Sequence, residues 1–291
     1  MAIPSIASYP LPRAQDFPEN KVSWAFEPER AVLLIHDMQD YFVNFYGADS
    51  PLAQQLIENI VALRTYCKAQ GIPVVYTAQP NAQSAADRAL LNDMWGAGLN
   101  NHPEKQRVVS ALAPDEHDTV LVKWRYSAFH RSPLEPMMKE MGKDQLIICG
   151  VYGHIGCMIT ATDAFMRDIK PFMVGDAVAD FSLQEHQMAL KYVATRAGRV
   201  VSTTELTGAK MAQALTKQGL RAHLLALIDE EEDQFDEDEN LIDYGLDSVR
   251  MMALLTEWRN QGVTLSFVDL ARNPSLNAWW ALIEKQQGAA S

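Results

Sequence analysis

The chain has 291 residues, 48% of them hydrophobic, enough for two domains or for one large domain with an appendage. A formal net charge of -12 argues against nucleic acid as a partner, and no stretch reaches the ~18 apolar residues of a membrane span. The proline-interrupted start MAIPSIASYPLPRAQDFPEN lacks a basic region followed by an apolar core, and Cys67, Cys149 and Cys157 lack metal-ligand spacing, so a reducing cytoplasm is expected and a disulfide framework or zinc site is not.

Six short apolar runs rich in β-branched residues read as buried strands. They are AVLLIH at 31–36, IPVVYT at 72–77, TVLVKW at 119–124, QLIICGV at 145–151, PFMVGD at 171–176 and RVVST at 199–203. Between the first two, PLAQQLIENIVALRTYCKAQG reads as a helix that begins after Asp49-Ser50 as a cap and stops at Gly71. A second helix over about 155–169 places Ile155, Ile159, Thr162 and Met166 at helical spacing. Strand alternating with helix predicts a mostly parallel sheet covered on both faces, a three-layer α/β/α domain.

After Leu206 the pattern changes: no strand-like run follows, and helices are expected near 209–228, 248–261 and 274–286. The division falls at 1–207 and 208–291. Between the first two of these helices, residues 229–247 hold eleven acids and no Lys or Arg, and removing those charges from -12 leaves -1. Such a run is either a solvated loop or a docking surface for basic partners.

In open parallel sheets ligands bind beyond the carboxyl ends of the strands. Asp37 ends the first strand, Gln79 the second, Lys123 lies at the end of the third, and the fourth delivers Tyr152 and the 153–157 turn. Four functional side chains at one edge predict a pocket. His36 and His154 have no second metal ligand at helical or hairpin spacing, so no metal is expected.

The segments LLIHDMQDYF, VVYTAQP with DRALLNDMWGAG, VKWRYSAF and GVYGHIGCMITATDAFMRDI occur in order at these strand ends. Together they resemble the isochorismatase family of the cysteine hydrolase superfamily, over about residues 1–205. In thiol-using relatives an Asp, a Lys and a Cys act together, and Asp37 and Lys123 match the first two. The match puts the nucleophile's position at Gly156, one residue before Cys157; a one-residue step turns a helical side chain by about 100°, so Cys157 should pack inward. The resemblance implies cleavage of the vinyl ether of isochorismate without a covalent intermediate, with Asp37 as general acid, Lys123 beside it, and Gly156 leaving room for substrate and offering a backbone N–H. By matched position, Arg88 and Gln79 bind carboxylate or hydroxyl groups, Tyr126 and Tyr152 add polar contacts, and Phe42 and Trp95 wall the ring. A cysteine amidase using Cys157 and a non-catalytic scaffold are the competing readings.

NLIDYGLDSVRMMALLTEWRN ends a loop in Gly-Leu-Asp-Ser and continues as an amphipathic helix. Ser248 is either an ordinary cap or the attachment point of 4'-phosphopantetheine, whose phosphodiester is favoured at a helix N-terminus. With the acidic stretch, an independent helical domain and Trp279-Trp280, the segment resembles a four-helix aryl carrier protein. The two halves together resemble the bifunctional isochorismatase and carrier enzymes of catecholate siderophore synthesis. That resemblance implies as partners a phosphopantetheinyl transferase, a 2,3-dihydroxybenzoate-activating adenylation enzyme and a downstream nonribosomal peptide synthetase, with self-association of the α/β domain. Met252 and Phe267 are the expected synthetase contacts. No Gly-x-Gly-x-x-Gly fingerprint is present, so the oxidation between the two steps needs a separate enzyme.

Overall fold

The computed structural model describes residues 3–208, 217–228, 235–260 and 265–288. Contacts divide the chain into two compact units, Met1–Thr207 and Gly208–Ser291. The first contains six parallel strands, β1 (Ala31–His36), β2 (Val74–Ala78), β3 (Thr119–Val122), β4 (Gln145–Val151), β5 (Lys170–Ala179) and β6 (Arg199–Val201), in the order β3-β2-β1-β4-β5-β6. All six predicted strands are present, in a sheet of the expected class.

The alternation of side chains along β1 builds both layers of core. Ala31, Leu33 and Ile35 face one apolar cluster, while Val32 and Leu34 face the other. Helix Pro51–Ala69 covers the first face with Leu56, Ile60 and Leu63, all fully buried. Helices Met158–Met166 and Leu183–Tyr192 cover the second through Ala161, Ala164, Ala189 and Leu190. Ser50 caps Pro51–Ala69 by accepting from the Ala53 N–H, and Gly71, at φ +67°, takes the left-handed turn that follows.

Strand β5 is longer than its sequence suggests. The apolar run PFMVGD was expected to end at Asp176, yet the chain continues extended to Ala179, with a register shift against β4 between Ile148 and Gly150. The extra residues carry Asp180 and Phe181 to the same end of the sheet as Asp37.

In the second unit the described residues form four helices, Lys217–Leu227, Ser248–Asn260, Phe267–Arg272 and Leu276–Gly288. The third, only six residues long, shows too little periodicity to read from sequence, although Ser266 and Asp269 form a reciprocal capping box at its start. The core is built from leucines around Trp258 and Trp279, whose rings meet edge to face at 5.7 Å. Residues 209–216 of the first expected helix and 229–234 of the acidic run lie outside the described residues.

Candidate functional site

The order of the strands creates a crevice between β1 and β4, where the chain reverses its direction of winding. An open-sided cavity lies there, its roughly 610 Å³ of empty space running out into open solvent. Asp37, Lys123 and Gly156 line it, as do the six residues expected to bind substrate, Phe42, Gln79, Arg88, Trp95, Tyr126 and Tyr152.

Asp37 ends β1 in the left-handed region, at φ +49°, a conformation Asp tolerates better than most residues. The turn is fixed by Thr77, which accepts from the Asp37 N–H at 3.1 Å and donates to Oδ1 at 2.6 Å. Lys123 Nζ donates to Oδ2 at 2.8 Å, and both side chains are buried. Burial pushes the carboxyl up, but the adjacent imidazole, the Lys123 ammonium and the two hydrogen bonds more than offset it and hold it below its ordinary value. His36 is itself pushed down to about 4, chiefly by burial. His36 is neutral near pH 7, where Lys123 and Thr77 are the groups hydrogen-bonded to the Asp37 carboxylate. The Asp37 carboxyl therefore favours its ionised form in the free protein.

The remaining polar groups are held through backbone. Gln39, fully buried, donates to the carbonyls of Gln79 and Gln106 at 3.0 and 2.7 Å and accepts from the Gln79 N–H at 2.7 Å, leaving the Gln79 side-chain amide for the cavity. Arg88 donates through Nε to Gly96 at 2.7 Å and through Nη1 to Gln83 at 3.3 Å, and Gln83 in turn donates to the Lys123 carbonyl. Trp95 Nε1 donates to the Tyr126 hydroxyl at 3.0 Å, which keeps its own proton available. Tyr152 instead gives its proton to the Phe42 carbonyl at 2.7 Å, so toward a ligand it can only accept.

Two expectations for Gly156 need correction. Its N–H donates to the Tyr152 carbonyl at 3.0 Å inside the helical turn Gly153–Cys157 and is not on offer to substrate. A Cβ at this position would meet the His36 ring, with Cε1 2.0 Å away, so the glycine leaves room for an imidazole before it leaves room for substrate. Cys157 is fully buried in the apolar cluster that Val32 and Leu34 also face, its thiol pushed well above the ordinary range by burial. Cys67 and Cys149 are buried as well.

His36, Gln39, Tyr41 and Phe181 were not expected at the site. The first two are polar residues within or just after an apolar strand in LLIHDMQD, which is the one signal the sequence gives of buried polar roles. Phe181 is positioned by its neighbour. Asp180 is fully buried and accepts from the His154 backbone and ring, each at 2.5 Å, and its own N–H donates to the Tyr9 hydroxyl. With Glu185 this is the one metal-capable cluster among the described residues, but its Asp180 oxygens are spent on protein donors.

In the second unit Asp247, not Ser248, caps helix Ser248–Asn260: its Oδ1 accepts from the Arg250 N–H at 2.8 Å. The Ser248 hydroxyl is exposed in the first turn, beside N–H groups that favour a phosphate. These residues fit a phosphopantetheine attachment. Met252 and Phe267 present apolar surface to solvent, at 53% and 36% exposure.

Comparison with known proteins bears on both units. Residues 31–205 match the isochorismatase domain and residues 218–283 the phosphopantetheine attachment site. Enterobactin synthase component B of Escherichia coli (strain K12) is 64% identical over 286 residues, 98% of this chain and 99% of that protein. Isochorismatase of Bacillus subtilis (strain 168) is 48% identical over 97% of this chain and 96% of its own length. The phenazine biosynthesis protein PhzD1 of Pseudomonas aeruginosa is 48% identical over 70% of this chain and 98% of its own. Among solved structures, a cysteine hydrolase from Pseudomonas syringae superposes with a TM-score of 0.60 at 24% identity, covering 69% of this chain and 97% of that one, a likeness of fold. With that sheet order, that site and these matches, the chain belongs to the isochorismatase family and bears a phosphopantetheine attachment domain after it.

Proposed function

We propose that the chain is bifunctional: its first unit hydrolyses isochorismate to 2,3-dihydro-2,3-dihydroxybenzoate and pyruvate, and its second carries 2,3-dihydroxybenzoate. The observation that carries the first half is a buried Asp37–Lys123 pair in a cavity with no thiol within its walls. An amidase needs a nucleophile there, whereas a vinyl ether needs only a proton and a water.

Isochorismate has two carboxylates. One of them can take up Lys123, with Arg88 serving the other, while the ring excludes water against Phe42 and Trp95. Asp37 then loses the cation that keeps it ionised, and burial, which already pushes its carboxyl up, favours uptake of a proton. The protonated Asp37 delivers that proton to the terminal vinyl carbon, turning CH₂ into CH₃ and leaving an oxocarbenium ion. Water adds, returning a proton to the Asp37 carboxylate, and the hemiketal collapses to pyruvate and the ring alcohol. No bond to the protein forms. Asp37 is the catalytic residue in this scheme; Tyr126 and Gln79 orient the substrate.

For the carrier half, the exposed Ser248 is the attachment point. The bound phosphopantetheine supplies a thiol on a flexible arm, to which the aryl acid is joined as a thioester. Asp247 keeps the helix start formed while leaving the Ser248 hydroxyl for the transferase. The partners that follow are a phosphopantetheinyl transferase drawn by acidic surface, an adenylation enzyme that activates 2,3-dihydroxybenzoate, and a nonribosomal peptide synthetase contacting Met252 and Phe267. Self-association of the α/β unit and a cytoplasmic location, where coenzyme A is supplied, complete the reading.

Purified chain mixed with isochorismate should release one pyruvate per substrate, read by lactate dehydrogenase coupling, before and after phosphopantetheine loading. A chain that releases none overturns the first half.

A further inference from the structure

The space beside Gly156 is already taken. An ideal Cβ at 156 lies 2.0 Å from Cε1, 2.7 Å from Nε2 and 2.9 Å from Nδ1 of His36, distances that no side chain tolerates. The backbone of Gly156 is not in the left-handed region, so conformation does not explain the glycine; lack of space does. The imidazole cannot easily step aside. It is fully buried, its Nδ1–H donates to the Val151 carbonyl at 2.8 Å, and its Nε2 lies 3.4 Å from the Tyr126 carbonyl. Both Val151 and Tyr126 line the cavity, and Asp37 Oδ2 is 3.6 Å from Nδ1.

We infer that His36 and Gly156 are an interlocked pair: the imidazole fills the volume that any side chain at 156 would need, and so keeps a nucleophile away from Asp37 and Lys123. In this pair His36 is a positioning residue. Its Nδ1–H ties the end of β1 to the end of β4, and its ring packs beside the loop after β3, which together set where Tyr152 and Tyr126 stand. Its low affinity for protons keeps it an uncharged spacer that adds no second cation beside Asp37. Gly156 is the specificity-determining partner, because position 156 can carry a reactive group only when residue 36 is small.

The inference rests on isochorismate cleavage only for its activity readout, and the decisive measurements do not need substrate. In the full chain, Gly156→Ala should lower the Tm of the first unit by roughly 5 °C through overpacking. In a His36→Ala background the same substitution should be neutral or stabilising, a coupling that additive sites do not show. Gly156→Cys in that background should give a thiol that iodoacetamide labels in the native chain, by intact mass, while the three buried thiols of the wild type stay unlabelled. For activity, His36→Ala should lose about 10²-fold through misplacement, and His36→Gln, which keeps a neutral donor, should lose markedly less. Additive Tm shifts, an unlabelled thiol, or equal loss in His36→Gln and His36→Ala would overturn the pair. If Gly156→Ala does not fold, folding of His36→Ala/Gly156→Ala supports the inference and failure of both overturns it. A wild type that makes no pyruvate would end the functional reading and leave the coupling test standing.

Discussion

In the proposed reaction Asp37 gives a proton to carbon, yet it starts as the ionised half of a buried ion pair, 2.8 Å from Lys123. The same partner that leaves the free carboxyl without a proton to give also holds it in place, so the two roles separate on mutation. Lys123→Ala leaves a buried carboxylate without its cation, and removal of one partner of a buried pair costs about 3–5 kcal/mol. Chemical denaturation should show that loss, and the KM for isochorismate should rise because a substrate carboxylate loses its cation. Two other buried groups set a dependence on pH. His36 and His186 are each pushed down by burial to about 4, from an ordinary value of 6.5. Between those values the unfolded chain binds more protons, so stability falls as pH drops from about 6.5 toward 4, by up to roughly 3 kcal/mol for each group. His154 opposes this: burial pushes it down, but Asp180 more than offsets that and raises it, so its contribution is lost as pH rises. Thermal unfolding at pH 7, 6 and 5 should show a falling Tm, and His36→Gln should flatten the curve. Asp37 and Lys123 could be read from their places at strand ends. His36 could not, because a buried ring that donates to a single backbone carbonyl leaves no spacing pattern, only the oddity of an imidazole in an apolar strand.

At the scale of elements, helix Pro51–Ala69 and helix Ser248–Asn260 illustrate different dependences on sequence. The first is held by packing. Leu56 is fully buried against the sheet, and Leu56→Ala should cost about 2–5 kcal/mol in equilibrium unfolding of the first unit. The second depends on its start. Asp247→Ala should cost about 1 kcal/mol of the second unit's stability, because the Arg250 N–H loses its acceptor. Ser248→Ala should leave stability unchanged, since its hydroxyl makes no cap, but abolish the mass gain on incubation with coenzyme A, magnesium and a transferase. A phosphopantetheine adduct on Ser248→Ala would place the attachment elsewhere. Strand starts were legible from apolar runs bounded by turns. The extension of β5 to Ala179 was not, because Gly175-Asp176 interrupts the apolar run, and pairing of Val178 and Ala179 with β4 beyond a register shift carries the strand on. Phe181 was missed for the same reason, since its position depends on where that strand ends.

For the whole molecule, chemistry and carriage are assigned to separate units. Every residue of the cavity belongs to Met1–Thr207, and Ser248 lies in Gly208–Ser291, which has its own core around Trp258 and Trp279. The change from alternating strand and helix to helix alone after Leu206 made that division visible in sequence, because a parallel sheet and a helical bundle bury apolar residues at different periods. What one chain cannot display is why a glycine stands at 156; the answer lies 120 residues earlier in sequence, in a ring that only the fold brings alongside. Acid catalysis by Asp37 without a thiol is tested most directly by pyruvate release from isochorismate, measured for wild type, Asp37→Asn and Cys157→Ala at equal folded concentration. Turnover should fall roughly 10²–10⁴-fold in Asp37→Asn and stay at the wild-type rate in Cys157→Ala. Near wild-type turnover in Asp37→Asn, or loss of turnover in a folded Cys157→Ala, would contradict it.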